Sequence, residues 1–128
     1  MGGGVVSGYV SAVSGQLSGY TPLGFTTAAP LSEDNPTKNV YFAPSTWTAD
    51  ADENGTLCAG SATSPAAAPG ILCVYIQGSS NVEGNSTNVF AGVGTGLDAA
   101  DGSGFHVTPD GAAVGQVLLR YVWAYRAP

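Results

Sequence analysis

The chain has 128 residues and a net charge of −6, with 9% charged residues against roughly 25% in ordinary soluble domains. This length suits one domain with one hydrophobic core. Three basic residues, Lys38, Arg120 and Arg126, cannot neutralise a run of phosphates, and no apolar run approaches the ~18 residues needed to span a bilayer. The composition therefore excludes nucleic-acid binding and membrane insertion, and it predicts a neutral, polar surface.

The N-terminal segment MGGGVVSGYV has neither a positively charged region nor a long apolar region, so it is not a secretory signal. We expect an extracellular or cell-surface domain whose signal was removed or lies upstream, or else a virion part assembled inside a cell. Residues 1–4 are expected to be disordered or foreign to the natural domain, so that a single domain covers residues 1–128.

Nineteen Gly and eight Pro are spread along the chain and leave little room for helices. Between these breakers lie short runs rich in Val, Tyr, Phe, Thr and Ile, which predict an all-β fold, an antiparallel sandwich or jelly roll of about eight strands. The predicted strands are residues 5–13, 16–26, 39–43, 57–61, 71–77, 87–93, 104–108 and 116–126.

An acidic stretch before the fourth predicted strand has the opening pattern of a calcium-binding loop. Asp50, Asp52 and Asn54 occupy alternate positions, a glycine follows, and the carbonyl of Thr56 would be the next ligand. The bidentate Glu that closes such a loop is missing, because Ser61 stands in its place. The stretch is either a calcium site that takes ligands from elsewhere or a solvated turn whose side chains cap their own backbone.

Two cysteines, Cys58 and Cys73, enclose a Pro/Ala/Gly-rich segment. With no further cysteine and no second His, a zinc site is not indicated. A disulfide is the favoured state and implies an oxidising compartment. The alternative is a pair of buried thiols.

The last predicted strand, within QVLLRYVWAYR, alternates with period two. One face is predicted core: Val117, Leu119, Tyr121, Trp123 and Tyr125. The opposite face is too apolar for simple exposure: Leu118, Arg120, Val122 and Ala124. These four residues are a candidate subunit interface, or they belong to a central strand that the domain itself covers.

Several segments together resemble a family of C-terminal domains in exported actinobacterial proteins: CAGSATSPAAAPGILCVYI, then GFHV, then the terminal VWAYRAP. The matching positions are Cys58, Pro65, Pro69, Gly70, Cys73, Tyr75, Gly104, Phe105, Trp123, Ala124, Tyr125, Ala127 and Pro128. Arg126 stands where that family usually has Thr. The resemblance implies a head domain on a collagen-like or repetitive stalk and implies no activity. A fainter likeness to C1q-like and phage fibre heads implies a homotrimer.

Residues suited to catalysis are sparse. His106 is the only His and alternates with apolar neighbours, and no nucleophile elbow or phosphate loop occurs. We therefore predict a non-enzymatic structural or adhesive head domain, with a virion fibre or decoration domain as an alternative that genomic context would separate. A small glycan-binding protein is the second alternative, because Trp47, Tyr41 or Tyr20 could stack on sugar rings.

Overall fold

The computed structural model describes residues 2–13, 15–17, 19–31, 37–43, 57–82, 88–91 and 104–128. These residues contain seven strands and no helix, which confirms the all-β prediction. The strands are β1 (Gly2–Val10), β2 (Gly19–Pro22), β3 (Val40–Ala43), β4 (Leu72–Ser80), β5 (Asn88–Ala91), β6 (Gly104–Thr108) and β7 (Gly115–Tyr125). The described residues thus include no helix long and apolar enough to cross a membrane.

The strands form two sheets, one with the order β1-β7-β4-β3 and one with the order β2-β6-β5. All pairs are antiparallel except β3 and β4, which run parallel, so the expectation of a purely antiparallel arrangement is wrong at this edge. A parallel neighbour requires a long connection, and residues 44–71 separate the two strands in the sequence. The jelly-roll topology and the eighth strand stay predictions.

The strand predicted at residues 57–61 is not formed. Its Leu and Cys content resembles a strand, but Ser61 and Ser64 exchange backbone hydrogen bonds of 3.0 and 3.2 Å. These bonds turn the chain immediately after Gly60. The segment is therefore the start of the disulfide-bonded loop.

The N-terminal glycines are part of β1, contrary to the expectation of a disordered tail. Gly2 pairs with Trp123 and Gly4 with Tyr121. A Cβ atom at Gly2 would lie 3.0 Å from the indole of Trp123, and one at Gly4 would lie 2.5 Å from the hydroxyl of Tyr121. The aromatic rings of β7 therefore lie across β1 and occupy the space where β1 side chains would be.

The core lies between the two sheets. The predicted inner face of β7 is confirmed, with Val117, Leu119, Tyr121 and Trp123 buried and Tyr125 packed against them. Phe105 and Val107 of β6 are fully buried opposite them. The Tyr121 hydroxyl and the Thr21 hydroxyl form a buried hydrogen bond that joins the sheets. Burial raises the pKa of Tyr121 above its ordinary value of 10.0, and the hydrogen bond to Thr21 partly lowers it.

Candidate functional site on the outer face of the four-stranded sheet

The outer face of β7 is covered at one end and open at the other. Ala124 is buried, Leu118 and Val122 are half-buried, and Arg120 is exposed. Because β7 lies between β1 and β4, it is a central strand whose backbone bonds are satisfied on both sides. The sequence left two explanations for the apolar outer face of β7: a subunit interface, or cover by the domain itself. Cover by the domain applies at the C-terminal end of the strand, where Ala124 is buried, whereas the surface around Arg120 is exposed.

The loop between Cys58 and Cys73, which the disulfide closes, covers the Ala124 end of the outer face of β7. Cys58 and Cys73 are bonded with a Cα–Cα distance of 5.7 Å, as predicted, and both are buried. Together with Tyr75 they form a second apolar cluster outside the main core, and Val122 packs against it. Ala124 is the direct cross-strand partner of Cys73, so a small side chain stands beside the disulfide. A larger residue at this position would compete with the sulfur atoms for space.

The Tyr75 hydroxyl holds the loop from within. It accepts a hydrogen bond from the backbone N–H of Gly60 at 3.0 Å and donates one to the carbonyl of Ala66 at 2.5 Å. A Cβ atom at Gly60 would collide with the backbone of Ser64 and Ala66, so glycine is required there. The loop is thus attached to β4 through the Cys73 disulfide and through a buried phenol two residues further on.

The C-terminal residues hold the far end of the same loop. Gly70 has a φ of +76°, which favours glycine, and its N–H donates to the carbonyl of Arg126 at 2.6 Å. Pro69 and Arg126 form a parallel bridge, and Pro128 lies near the Gly70 Cα. The motif residues near Cys73 and those at the C-terminus, far apart in sequence, therefore meet in one structural unit. Their roles in it are packing and hydrogen bonding.

All three basic residues of the chain belong to this outer face. Arg120 lies on the outer side of β7, and Arg126 continues the same alternation beyond the strand. The Lys38 ammonium lies 4.8 Å from the centre of the Tyr41 ring, a cation–π distance, and Tyr41 packs against the cluster around the disulfide. Within the described ranges the only acidic residue is Asp110. The other eight acidic residues of the chain lie outside the described residues, so the positive charges are assigned to this face and the negative ones are not placed.

The neighbouring edge strand adds exposed apolar surface. Val5 and Tyr9 of β1 are 55% and 67% exposed. In the antiparallel register Val5 is opposite Arg120 and Ser7 is opposite Leu118, so these side chains share one face. We call the five residues Val5, Tyr9, Leu118, Arg120 and Val122 the β1–β7 strip.

The predicted calcium loop, Asp50, Asp52, Asn54 and Thr56, lies outside the described residues, and calcium binding stays a prediction. Among the residues that are described, no three His, Cys, Asp or Glu side chains lie close enough to hold a metal ion. Trp47, one of the three aromatics considered for sugar stacking, is also outside them.

His106 lies on β6 and is nearly buried, with its ring centre 5.2 Å from that of Tyr20. Tyr20 also lies across Gly104, where a Cβ atom would meet its hydroxyl. Tyr41, the third candidate aromatic, is half-buried beside Lys38. These side chains pack against each other in the second sheet or against the loop, so none stands out as an isolated stacking platform.

Sequence reasoning missed two features of this face: the Tyr75 hydrogen bonds and the grouping of the basic residues. Tyr75 shares the outer face with Cys73 because they are two residues apart on a strand, and this spacing was the available signal.

Comparison with family models, with curated proteins and with solved structures found no match to this chain.

Proposed function

We propose that the chain is a non-enzymatic structural or adhesive head domain of an extracellular or surface fibre-like protein, and that it acts as a homotrimer. The observation that carries the proposal is the loop held by the buried disulfide, the Tyr75 hydroxyl and the Gly70–Arg126 hydrogen bond. Such a cross-link suits an oxidising compartment, and it holds the loop against the outer face of the sheet.

The roles of the polar side chains support a structural module. Tyr75 anchors the loop, Thr21 joins the sheets, and Lys38 lies on an aromatic ring. Each of these groups already has a partner within the fold. A binding surface of this kind works through shape and position rather than through reactive groups.

Light scattering of the purified domain tests the trimer. The expected mass is three times the 12.7 kDa of the chain, independent of column retention. Titration of free thiols in protein secreted into an oxidising compartment should find none before reduction and two after it. A monomeric mass at high concentration would contradict the trimer, and two free thiols in correctly folded, secreted protein would contradict the localisation argument.

Glycan binding is a second candidate, and the observation that favours it is the exposure of Phe25. This side chain is 44% exposed, and its ring centre lies 5.7 Å from Tyr125 and 6.3 Å from Trp123. Partly exposed aromatic rings stack well on sugar faces. A glycan array should then give signals that Phe25→Ala abolishes and that the matched variant Tyr9→Ala leaves unchanged. Equal signals from both variants would contradict this candidate.

A further inference from the structure

We infer that the loop between Cys58 and Cys73 controls the reduction of its own disulfide and responds to thiols as a unit separate from the two sheets. In the folded domain both sulfur atoms are shielded. A dissolved thiol reaches them only after residues 57–68 detach from the hydroxyl of Tyr75, and it then attacks Cys58. Reduction releases the cover from the Ala124 end of β7 while both sheets stay folded.

The closed loop leaves little room for a reductant at either sulfur. Cys73 is 0% exposed and Cys58 is 6% exposed. Thiol–disulfide exchange requires direct access of a thiolate to a sulfur atom, so the rate of reduction depends on how often the loop opens. The carbonyl oxygen of Leu57 lies 3.3 Å from Sγ of Cys73, and its negative partial charge repels a thiolate that approaches from that side.

The loop can open without the sheets. Residues 57–68, all of them described, belong to no strand or bridge. The apolar cluster at the disulfide is separate from the main core, and within residues 59–68 the hydrophobic side chains packed against that cluster are those of Ala62 and Ala67. Alanine side chains bury little apolar area. A segment with so few buried apolar contacts opens at a lower free energy than the whole domain.

Tyr75 is the contact that limits this opening. Its hydroxyl accepts a hydrogen bond from the Gly60 N–H and donates one to the Ala66 carbonyl, so a single side chain of β4 holds both ends of the turn between them. Cys58 is two residues before Gly60 and moves with that turn. Cys73 belongs to β4, which lies between β3 and β7, and it stays in the sheet. The opening therefore exposes Cys58 first.

Reduction by a small dithiol then proceeds in two exchanges. The thiolate attacks Sγ of Cys58 and forms a mixed disulfide, and the electron pair of the broken protein S–S bond leaves with Sγ of Cys73, which takes up a proton. The second thiol of the reagent attacks the sulfur of the reagent in the mixed disulfide, and Cys58 leaves as a thiolate. The dithiol is oxidised to a cyclic disulfide, and the protein disulfide gains two electrons.

The rate at which dithiothreitol reduces the complete folded chain tests this control, with alkylation and mass spectrometry as the readout. Tyr75→Phe removes both hydrogen bonds and should raise the rate about 10-fold or more. Gly60→Ala should also raise it, because its Cβ atom would collide with the backbone of Ala66. Circular dichroism verifies that each variant is folded.

Val107→Ala is the matched control for global stability. Val107 is fully buried in the main core and is not part of the cluster at the disulfide. Its truncation lowers the stability of the whole domain and should leave the rate of reduction unchanged. The attacked sulfur is identified separately by a brief reaction with the monothiol 2-mercaptoethanol. Tandem mass spectrometry should find the reagent on Cys58 and the free thiol at Cys73.

The outcomes separate local opening from global unfolding. Faster reduction of the two loop variants alone, with the reagent on Cys58, supports the inference. Acceleration by Val107→Ala as large as that by Tyr75→Phe would overturn it, because reduction would then require unfolding of the whole domain. Rates that no variant changes would show that the loop does not shield the disulfide. Reagent mainly on Cys73 would overturn the order of attack, and loss of the β signal on reduction would overturn the independence of the loop.

Discussion

Removing the disulfide with the double substitution Cys58→Ala and Cys73→Ala should lower the free energy of unfolding by about 3 kcal/mol. The two residues are 15 apart in sequence, and closing a loop of this length removes entropy from the unfolded chain worth ~3 kcal/mol at 25 °C. The native loop retains its attachments through Tyr75 and Gly70. We therefore expect the variant to fold, with a melting temperature lower by roughly 10 °C or more.

Urea denaturation measures this change, with the fluorescence of the two tryptophans as the signal, because Trp123 is 4% exposed in the core. The midpoint should fall, and the m-value should rise somewhat because the unfolded chain is less restricted. Wild type reduced while unfolded and then refolded with a reductant is the matched control and should give the same free energy. A loss below ~1 kcal/mol would refute the loop-closure reasoning. An unfolded variant would show that the disulfide, rather than the hydrogen bonds, determines the loop.

Four further measurements test individual contacts. Tyr75→Phe leaves the Gly60 N–H and the Ala66 carbonyl unpaired, so urea denaturation should show a loss of ~2 kcal/mol; a loss below ~0.5 kcal/mol would mean that water replaces the hydroxyl. Gly4→Val should lower the melting temperature because its side chain meets the Tyr121 ring, whereas Ser7→Val on the exposed face is the control and should not. The pKa of Tyr121 is raised in the folded state, so the stabilising contribution of Tyr121 is complete below pH ~10 and decreases above it. The difference in free energy of unfolding between wild type and Tyr121→Phe should therefore shrink from pH 8 to pH 11. A constant difference would contradict the burial argument. If the loop at 50–56 binds calcium, added CaCl₂ should raise the melting temperature relative to EDTA-treated protein, and Asp52→Asn should abolish that rise.

The alternating pattern of β7 could be predicted because its determinant is local. Val117, Leu119, Tyr121 and Trp123 occur at every second position, and burial of one face of a strand follows directly from that spacing. The disulfide was predictable for a similar reason, since the chain has only two cysteines. Where the pattern needed only neighbouring residues, sequence and structure agree.

The parts that sequence reasoning missed depend on residues far apart in the chain. Gly2 and Gly4 suggest a disordered tail until Trp123 and Tyr121 are placed across them. Val40 pairs with Leu72 in a parallel register, and the alternation of side chains within each strand does not show whether its neighbour is parallel or antiparallel. Lys38, which precedes β3, and Arg126, which follows β7, lie on the same face only because β3 and β7 belong to one sheet with β4 between them. The sequence of either strand does not contain that order.

The register of β1 with β7 has a mechanical consequence. Gly2 pairs with Trp123 while Val10 pairs with Gly115, so the chain enters β1 and leaves β7 at the same end of one antiparallel ladder. A force that pulls these two ends apart loads the inter-strand bonds one after another, as in unzipping, and does not shear them together. The first contacts to open under such tension are those at Gly2 and Gly4, where β1 has no side chains to hold it, while the hydrogen bond between Gly70 and Arg126 keeps the other strand attached.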